Sequence, residues 1–366
     1  MNKELSFRQI AYMYVFVSIS PILRQIPRAL AANAGRSAYI SPIWSIFLLV
    51  PITAIIIGIL KAFPGLNIYE IMIQLVGIFL AKLLVLGYLL WILVSIVAKV
   101  SIYSLTLQST LMPQTRTNFF LITLIILISY ALLRGIKTVF RFSEFTLGTI
   151  LVIFVILFLC AVPRIRMDYL LPISTIHLMD TIIASINVIA VGGNIVLVLF
   201  FADKLGISTT KKQKQKLWMG VLVFVVLAFF VSLITIGITG AALTADLPFP
   251  FYITVKSLSF FNLLERFEVI VTLICVLSDF IAICVFTIII VRCFEWLFNL
   301  KQKSFLYAPL TMILYYLTYY ISKSQFEFDF FYSNVMIYAN LIFQYLIPVL
   351  LGFLSLFKMN KIKKQF

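Results

Sequence analysis

Apolar stretches of about twenty residues follow one another along almost the whole chain, and they constrain the fold more than any other feature. Only 11% of the residues are charged, whereas 63% are hydrophobic. A soluble domain has about 25% charged residues and could not bury so much apolar surface. A helix of about 20 apolar residues crosses the hydrocarbon core of a bilayer. The sequence therefore predicts an all-α integral membrane protein with little material outside the membrane.

We predict about ten spanning helices, which together form a single transmembrane domain over residues 1–366. The approximate spans are residues 7–32, 38–60, 80–107, 118–133, 140–162, 176–201, 217–242, 264–297, 305–321 and 333–357. A basic tail, residues 358–366, follows the last span.

The basic residues that give the chain its net charge of +16 lie mainly between the apolar spans and at the C-terminus. Most lysines and arginines fall in the loops that are internal if the N-terminus is cytoplasmic. Because Lys and Arg accumulate on the cytoplasmic side, both termini are predicted to be cytoplasmic. Basic residues between spans indicate topology and contact with lipid headgroups, so nucleic-acid binding is not expected.

Two of the predicted spans contain residues that weaken a helix. The first carries Ser18 to Pro21, and proline removes a backbone donor. The sixth carries Gly192, Gly193 and Asn194 near its middle, and each glycine lowers helix stability by about 1 kcal/mol. The two interrupted spans are five positions apart in the series, as in a 5+5 inverted repeat with discontinuous helices 1 and 6. The predicted repeats are residues 7–162 and 176–357.

An interrupted helix leaves backbone groups without intrahelical partners, and in hydrocarbon these groups must be satisfied. A small zwitterion could satisfy them, although a single kink is often only a kink. The sequence therefore predicts a ligand site at the membrane midplane. Its residues are Ser18, Ile19, Ser20, Pro21, Arg24, Val191, Gly192, Gly193 and Asn194.

Ionisable residues inside spans are candidates for function. Arg24 could hold a ligand carboxylate, pair with a carboxylate from another span, or extend to the interface. Lys99 and Asp279 lie deep in the third and eighth spans. They could form a buried ion pair, or they could serve as an ion- or proton-coupling site. Arg292 and Glu295 are spaced as a helix-end pair.

Metal, cofactor and enzyme chemistry is not expected. Cys275, Cys284 and Cys293 are nine residues apart and so alternate between opposite helix faces, while Cys160 and the single histidine, His177, stand alone. There is no phosphate-binding loop, no HExxH motif and no nucleophile elbow.

Several segments resemble the spore germination permease family, in particular the B subunit of spore germinant receptors, a branch of the amino acid–polyamine–organocation superfamily. The start of the chain is similar, as are the FPGLNIYEI stretch, the Arg-x-x-Glu element entering the fifth span and the Glu-Arg-x-Glu approach to the eighth. The matching residues are Ser6, Gln9, Ser18 to Ser20, Pro27, Ala31 to Gly35, Tyr39, Arg141, Glu144, Pro250, Lys256, Glu265, Arg266 and Glu268. The chain departs from the family at SISP, where a glycine is common, and at Asn194, where an acidic residue is common.

The resemblance implies a LeuT-like fold and a subunit that senses a nutrient germinant, in particular an amino acid. It also implies a larger A subunit and a lipoprotein C subunit as partners in the spore inner membrane. A proton- or sodium-coupled amino acid transporter is the alternative, and a scaffold that binds no ligand is a third hypothesis.

Overall fold

The computed structural model describes residues 5–171, 178–205, 211–258, 267–300, 306–321 and 335–363. Within these ranges the chain is helical, and the β contact that they contain is an isolated bridge between Leu5 and Leu205. His177, Glu265 and Arg266 lie outside the described residues, as does the end of the basic tail.

The helices, in chain order, are α1 (Phe7–Arg24), α2 (Ile26–Ala34), α3 (Ser41–Trp44), α4 (Ile46–Ala62), α5 (Ile68–Val76), α6 (Ile78–Thr110), α7 (Thr117–Leu133), α8 (Ile136–Ala161), α9 (Met167–Leu170), α10 (Leu178–Gly192), α11 (Lys211–Thr239), α12 (Ala241–Asp246), α13 (Pro250–Lys256), α14 (Phe267–Phe298), α15 (Tyr307–Ile321), α16 (Ile337–Leu341) and α17 (Ile347–Lys363). The 3₁₀ segments are Gly35–Ile40, Val162–Arg164 and Gly193–Lys204, and a π-helical turn, Ile342–Leu346, joins α16 to α17.

Seven helical stretches of the described chain are long and apolar enough to cross a membrane. The other predicted crossings coincide with shorter or more polar helices: α1 with 18 residues, α7 with 17 and α15 with 15. Large apolar side chains cover much of the outer surface; Phe79 is 86% exposed and Phe145 is 84% exposed. Such a surface suits lipid rather than water. The all-α membrane class is confirmed, and the number of ten crossings stays a prediction.

The start of α1 is fixed to two other helices. Ser6 and Gln9 form a capping box, in which the Gln9 N–H donates to Ser6 Oγ over 3.2 Å. Gln9 Nε2 also donates to Glu144 of α8 over 3.0 Å, and Arg8 forms an ion pair with the same carboxylate. The Leu5 N–H donates to the Lys204 carbonyl over 3.3 Å. These contacts hold α1 against α8 and against the end of the Gly193–Lys204 segment.

The packing follows the pattern that two related halves would give. The first span packs against the seventh (α11) and the fifth (α8), while the sixth span packs against the second (α3 and α4) and the tenth (α16 and the π-helical turn). The third and eighth spans pack along each other, as do the fourth and ninth. An internal pseudo-two-fold axis would relate these contacts pairwise. The repeat boundaries themselves stay a prediction.

Candidate functional site

The hydrogen-bond ladder of α1 is open near Pro21, although the backbone stays helical. The Ser20 N–H donates to Ser278 Oγ of α14 over 3.0 Å, and Ser278 Oγ donates to the Phe16 carbonyl over 2.6 Å. One hydroxyl therefore bridges the two backbone groups that an α-helix would pair directly. Pro21 has no N–H, so it offers none to the Val17 carbonyl.

Lys99 of α6 approaches this carbonyl. Its Nζ lies 3.5 Å from the Val17 oxygen and 5.8 Å from the centroid of the Phe286 ring. Inside a membrane a lone ammonium needs such acceptors, because water is not available to solvate it. The gap in α1 thus receives a hydroxyl from α14 and a cation from α6.

The sixth span changes from α-helix to 3₁₀-helix between Gly192 and Gly193. Side chains from other helices donate to the carbonyls before this change. Tyr345 Oη donates to Ile189 over 2.7 Å, and Asn340 Nδ2 donates to Ala190 over 3.2 Å. Tyr14 Oη donates to Gly192 over 3.0 Å. Neutral donors therefore cover the carbonyls at this interruption.

Both interruptions differ from the discontinuities that the sequence suggested. Helix α1 continues through Ser18 and Pro21 to Arg24, and the first residue outside a helix is Gln25. The sixth span has no unwound residue between α10 and the 3₁₀ segment. Hydroxyl, amide and ammonium groups of neighbouring helices satisfy the released backbone groups, so the chain does not have to unwind at these points.

Arg24 and Asp279 form a buried ion pair that links α1 to α14. Arg24 Nη2 donates to Asp279 and to Ser20 Oγ, while Nη1 donates to Thr106 Oγ1 over 2.7 Å and to the Ile102 carbonyl over 3.3 Å. Of the alternatives for Arg24, pairing with a carboxylate from another span is thus the one observed. Asp279 has Arg24 as its ion-pair partner, in place of the Lys99 partner that the sequence suggested.

A cavity of about 50 Å³ lies between α1, α6, the sixth span, α14 and α16. A cavity needs roughly 10–15 Å³ to hold one water, so this cavity could hold a small polar molecule. Its walls are formed by Ser20, Pro21, Arg24, Gln25, Trp91, Ser95, Ala98, Lys99, Ile102, Ala190, Val191, Asn194, Phe286, Asp279, Met336 and Asn340.

Two of the charged side chains in the wall have an atom without a hydrogen bond. Among the described residues, Arg24 Nε and Asp279 Oδ1 are buried and have no partner. Leaving a buried polar atom unpaired is costly, and more so on a charged group. The charged side chains among the lining residues are thus two cations, Arg24 and Lys99, and one carboxylate, Asp279.

The predicted site residues fall into two groups. Seven line the cavity: Ser20, Pro21, Arg24, Lys99, Val191, Asn194 and Asp279. Ser18, Ile19, Gly192 and Gly193 are buried behind its wall.

The two glycines allow close helix packing. A Cβ on Gly193 would lie 2.5 Å from the Tyr345 ring and would also collide with Gln344. A Cβ on Gly192 would lie 2.7 Å from Leu49. Gly193 thus brings the sixth span against the π-helical turn, where Gln344 Nε2 donates to Asn194 Oδ1 over 3.0 Å.

Sequence reasoning identified Lys99 of α6 but missed Trp91 of the same helix and Asn340 of α16. Trp91 Nε1 donates to Asn340 Oδ1 over 2.8 Å, and Asn340 in turn holds the Ala190 carbonyl. Asn340 is a polar residue inside a predicted apolar span, which is the signal that could have identified it.

A second ion pair lies at the other end of the sixth span. Arg292 of α14 binds both oxygens of Asp203, over 2.9 and 2.7 Å, and also donates to the Phe200 carbonyl. The sequence had suggested Glu295 of the same helix as its partner. In the described ranges no group of three or more His, Cys, Asp or Glu side chains could hold a metal ion.

The bundle of long apolar helices defines a multi-pass, all-α membrane protein. A family model described as spore germination protein matches residues 4–326, so the chain belongs to the spore germination permease family. No curated protein matches the chain.

Proposed function

We propose that the chain is the B subunit of a spore germinant receptor and that it senses a nutrient, in particular an amino acid, bound in the cavity. The observation that carries this proposal is that two cations, Arg24 and Lys99, and one carboxylate, Asp279, are among the residues that line the cavity. An amino acid presents a carboxylate and an ammonium, which complement these charges.

Recognition would use the charged side of the cavity. The ligand carboxylate would accept from the Arg24 guanidinium and lie close to the Lys99 ammonium, and the ligand ammonium would donate to the Asp279 carboxylate. Asn194 and Ser20 offer further polar contacts. Since the cavity measures about 50 Å³, the smallest amino acids fit it best.

Sensing would follow from competition with the ion pair. The Arg24–Asp279 pair holds α1 and α14 together, and Arg24 also reaches α6. A ligand that takes part of these interactions would change the relative stability of two arrangements of the bundle. The ligand could shift the equilibrium between these two arrangements only by as much as its affinities for them differ.

The family resemblance supports the rest of the proposal. The partners are the receptor A subunit, the lipoprotein C subunit and membrane lipids, in the spore inner membrane, with both termini cytoplasmic. The protein needs no cofactor and performs no enzymatic reaction. It does not bind nucleic acid.

A proton- or sodium-coupled amino acid transporter is the second candidate, and Lys99 favours it. Its ammonium has one long contact, 3.5 Å, with the Val17 carbonyl, and the same wall holds Asp279. A buried lysine that can lose its proton is suited to coupling. Uptake of labelled amino acid by proteoliposomes that contain only this chain would support transport; absence of flux would oppose it.

The deciding experiment is a germination assay of spores that lack this chain, across a panel of amino acids and other nutrients. We expect the deletion to abolish the response to at least one amino acid. Complementation would then compare wild type with Asp279→Asn and with Ala98→Leu, which fills the cavity. The matched control is Thr318→Val, because Thr318 Oγ1 is also buried and unpartnered but lies outside the cavity wall.

We expect both cavity variants to raise the half-maximal germinant concentration at least tenfold. Ala98→Leu, which keeps the Arg24–Asp279 pair, should reach normal protein levels in the spore membrane. The control should respond as wild type does. A normal dose–response in Ala98→Leu would contradict the cavity assignment. If loop variants alone abolished the response, the scaffold hypothesis would replace it.

A further inference from the structure

A second cavity lies on the outer surface of the bundle, between α8 and α11. This α8–α11 groove has a volume of about 380 Å³. Apolar side chains form it, from positions 151–158 of α8, positions 222–234 of α11, and Phe251 of α13. Val155, Leu222 and Val226 are exposed along it, so the groove opens sideways toward the surrounding lipid.

The groove has the depth of one membrane leaflet. The stretch of α11 from 222 to 234 has thirteen residues and so rises about 18 Å over twelve steps, whereas half of a bilayer's hydrocarbon core is about 15 Å thick. A transmembrane helix of a partner would need a contact surface through both leaflets, about 30 Å. An acyl chain of a single lipid matches the observed length better.

Cations gather where α8 and α11 end. Arg166 follows α8, and its N–H donates to the Gly237 carbonyl near the end of α11 over 2.8 Å. Arg164 Nη1 donates to the Ser257 carbonyl over 2.5 Å, which places Lys256 beside it. The side chains of Arg164, Arg166 and Lys256 are exposed. Phe251, on the helix that carries Lys256, lines the groove itself.

We propose that the α8–α11 groove binds one anionic phospholipid, with an acyl chain between the two helices and its phosphate at Arg164, Arg166 and Lys256. Basic residues above an apolar cleft between spanning helices are the elements that recognise anionic lipid headgroups. The Phe158 and Phe230 rings, with centroids 4.5 Å apart, connect α8 and α11 within the groove. The lipid's acyl chain would pack against these two rings.

The test is native mass spectrometry of the purified full-length chain, titrated with phosphatidylglycerol or phosphatidylcholine of the same acyl length. We expect adducts of phosphatidylglycerol at a concentration at least fivefold lower than those of phosphatidylcholine. Arg166→Gln/Lys256→Gln should bring this ratio close to one. The matched control, Lys61→Gln/Arg116→Gln, removes two exposed cations away from the groove and should keep the ratio.

A second pair of variants tests the apolar part. Val226→Trp fills the groove and should weaken phosphatidylglycerol binding at least fivefold, whereas Leu159→Trp adds the same bulk outside its lining and should not. Equal affinity for the two lipids, or equal effects of the variants and their controls, would overturn the proposal. A dimer that only Val226→Trp abolishes, with lipid adducts unchanged, would also overturn it and assign the groove to a second copy.

Discussion

The first and sixth spans solve the same backbone problem with different chemistry. In α1 the opened ladder receives the Ser278 hydroxyl and the Lys99 ammonium, and Arg24 follows one turn later. In the sixth span, phenol and amide groups cover the carbonyls, and Gly192 and Gly193 let other helices approach. The comparison shows that α1 contributes a charged side chain, Arg24, to the cavity. The sixth span instead contributes close helix packing at Gly192 and Gly193.

The largest effect should come from separating the charges beside α1. Arg24→Met or Asp279→Leu alone would leave a buried charge uncompensated and lower the free energy of unfolding by about 3–5 kcal/mol. The double variant should recover most of that loss. Denaturant unfolding in detergent measures the free energy of unfolding of the single variants and of the double variant. If the double variant lost the sum of the two single losses, the pair would not be coupled and the contrast with the sixth span would fail.

The next effect concerns packing at the sixth span. Gly193→Ala should lower the free energy of unfolding by about 1–3 kcal/mol, because the added Cβ would overlap Gln344 and Tyr345. Gly148→Ala in α8 is the matched control, since its Cβ would meet nothing within 4 Å. That control should gain up to about 1 kcal/mol from helix propensity. Equal values for the two variants would remove the packing role from Gly193.

The smallest expected effects come from removing one hydrogen bond at each interruption. They distinguish a contribution to stability from a contribution to ligand recognition. Tyr345→Phe removes the donor to the Ile189 carbonyl, and Ser278→Ala removes the bridge in α1. Each variant should lower the free energy of unfolding by about 1 kcal/mol. Only Ser278→Ala should change which amino acids trigger germination, because Ser20 and Arg24 lie directly beyond its bridge. A changed amino acid preference in Tyr345→Phe would argue against the division of roles.

Much of the architecture was predictable from residue type and spacing. Apolar runs located the helices, and proline and the glycine pair located both interruptions. The cavity wall includes Ser20, Arg24 and Asn194, which the sequence had assigned to a ligand site; ligand binding by them stays a prediction. Trp91 and Asn340 were missed, since neither stands near an interruption. Ser18 and Gly193 were predicted to bind ligand, but they do not line the cavity. Each residue step turns a helix by about 100° or more, so Ser18, two steps from Ser20, and Gly193, one step from Asn194, lie on other faces.

The sequence by itself determined the membrane class, the helical segments and the positions where the backbone ladder opens, because these depend on apolar length and on residues with local effects. Only the tertiary structure decided which groups meet. Asp279 pairs with Arg24 and Lys99 turns to the Val17 carbonyl. Pairing inside a bundle depends on the depth and rotation of several helices at once, and no local sequence pattern encodes both.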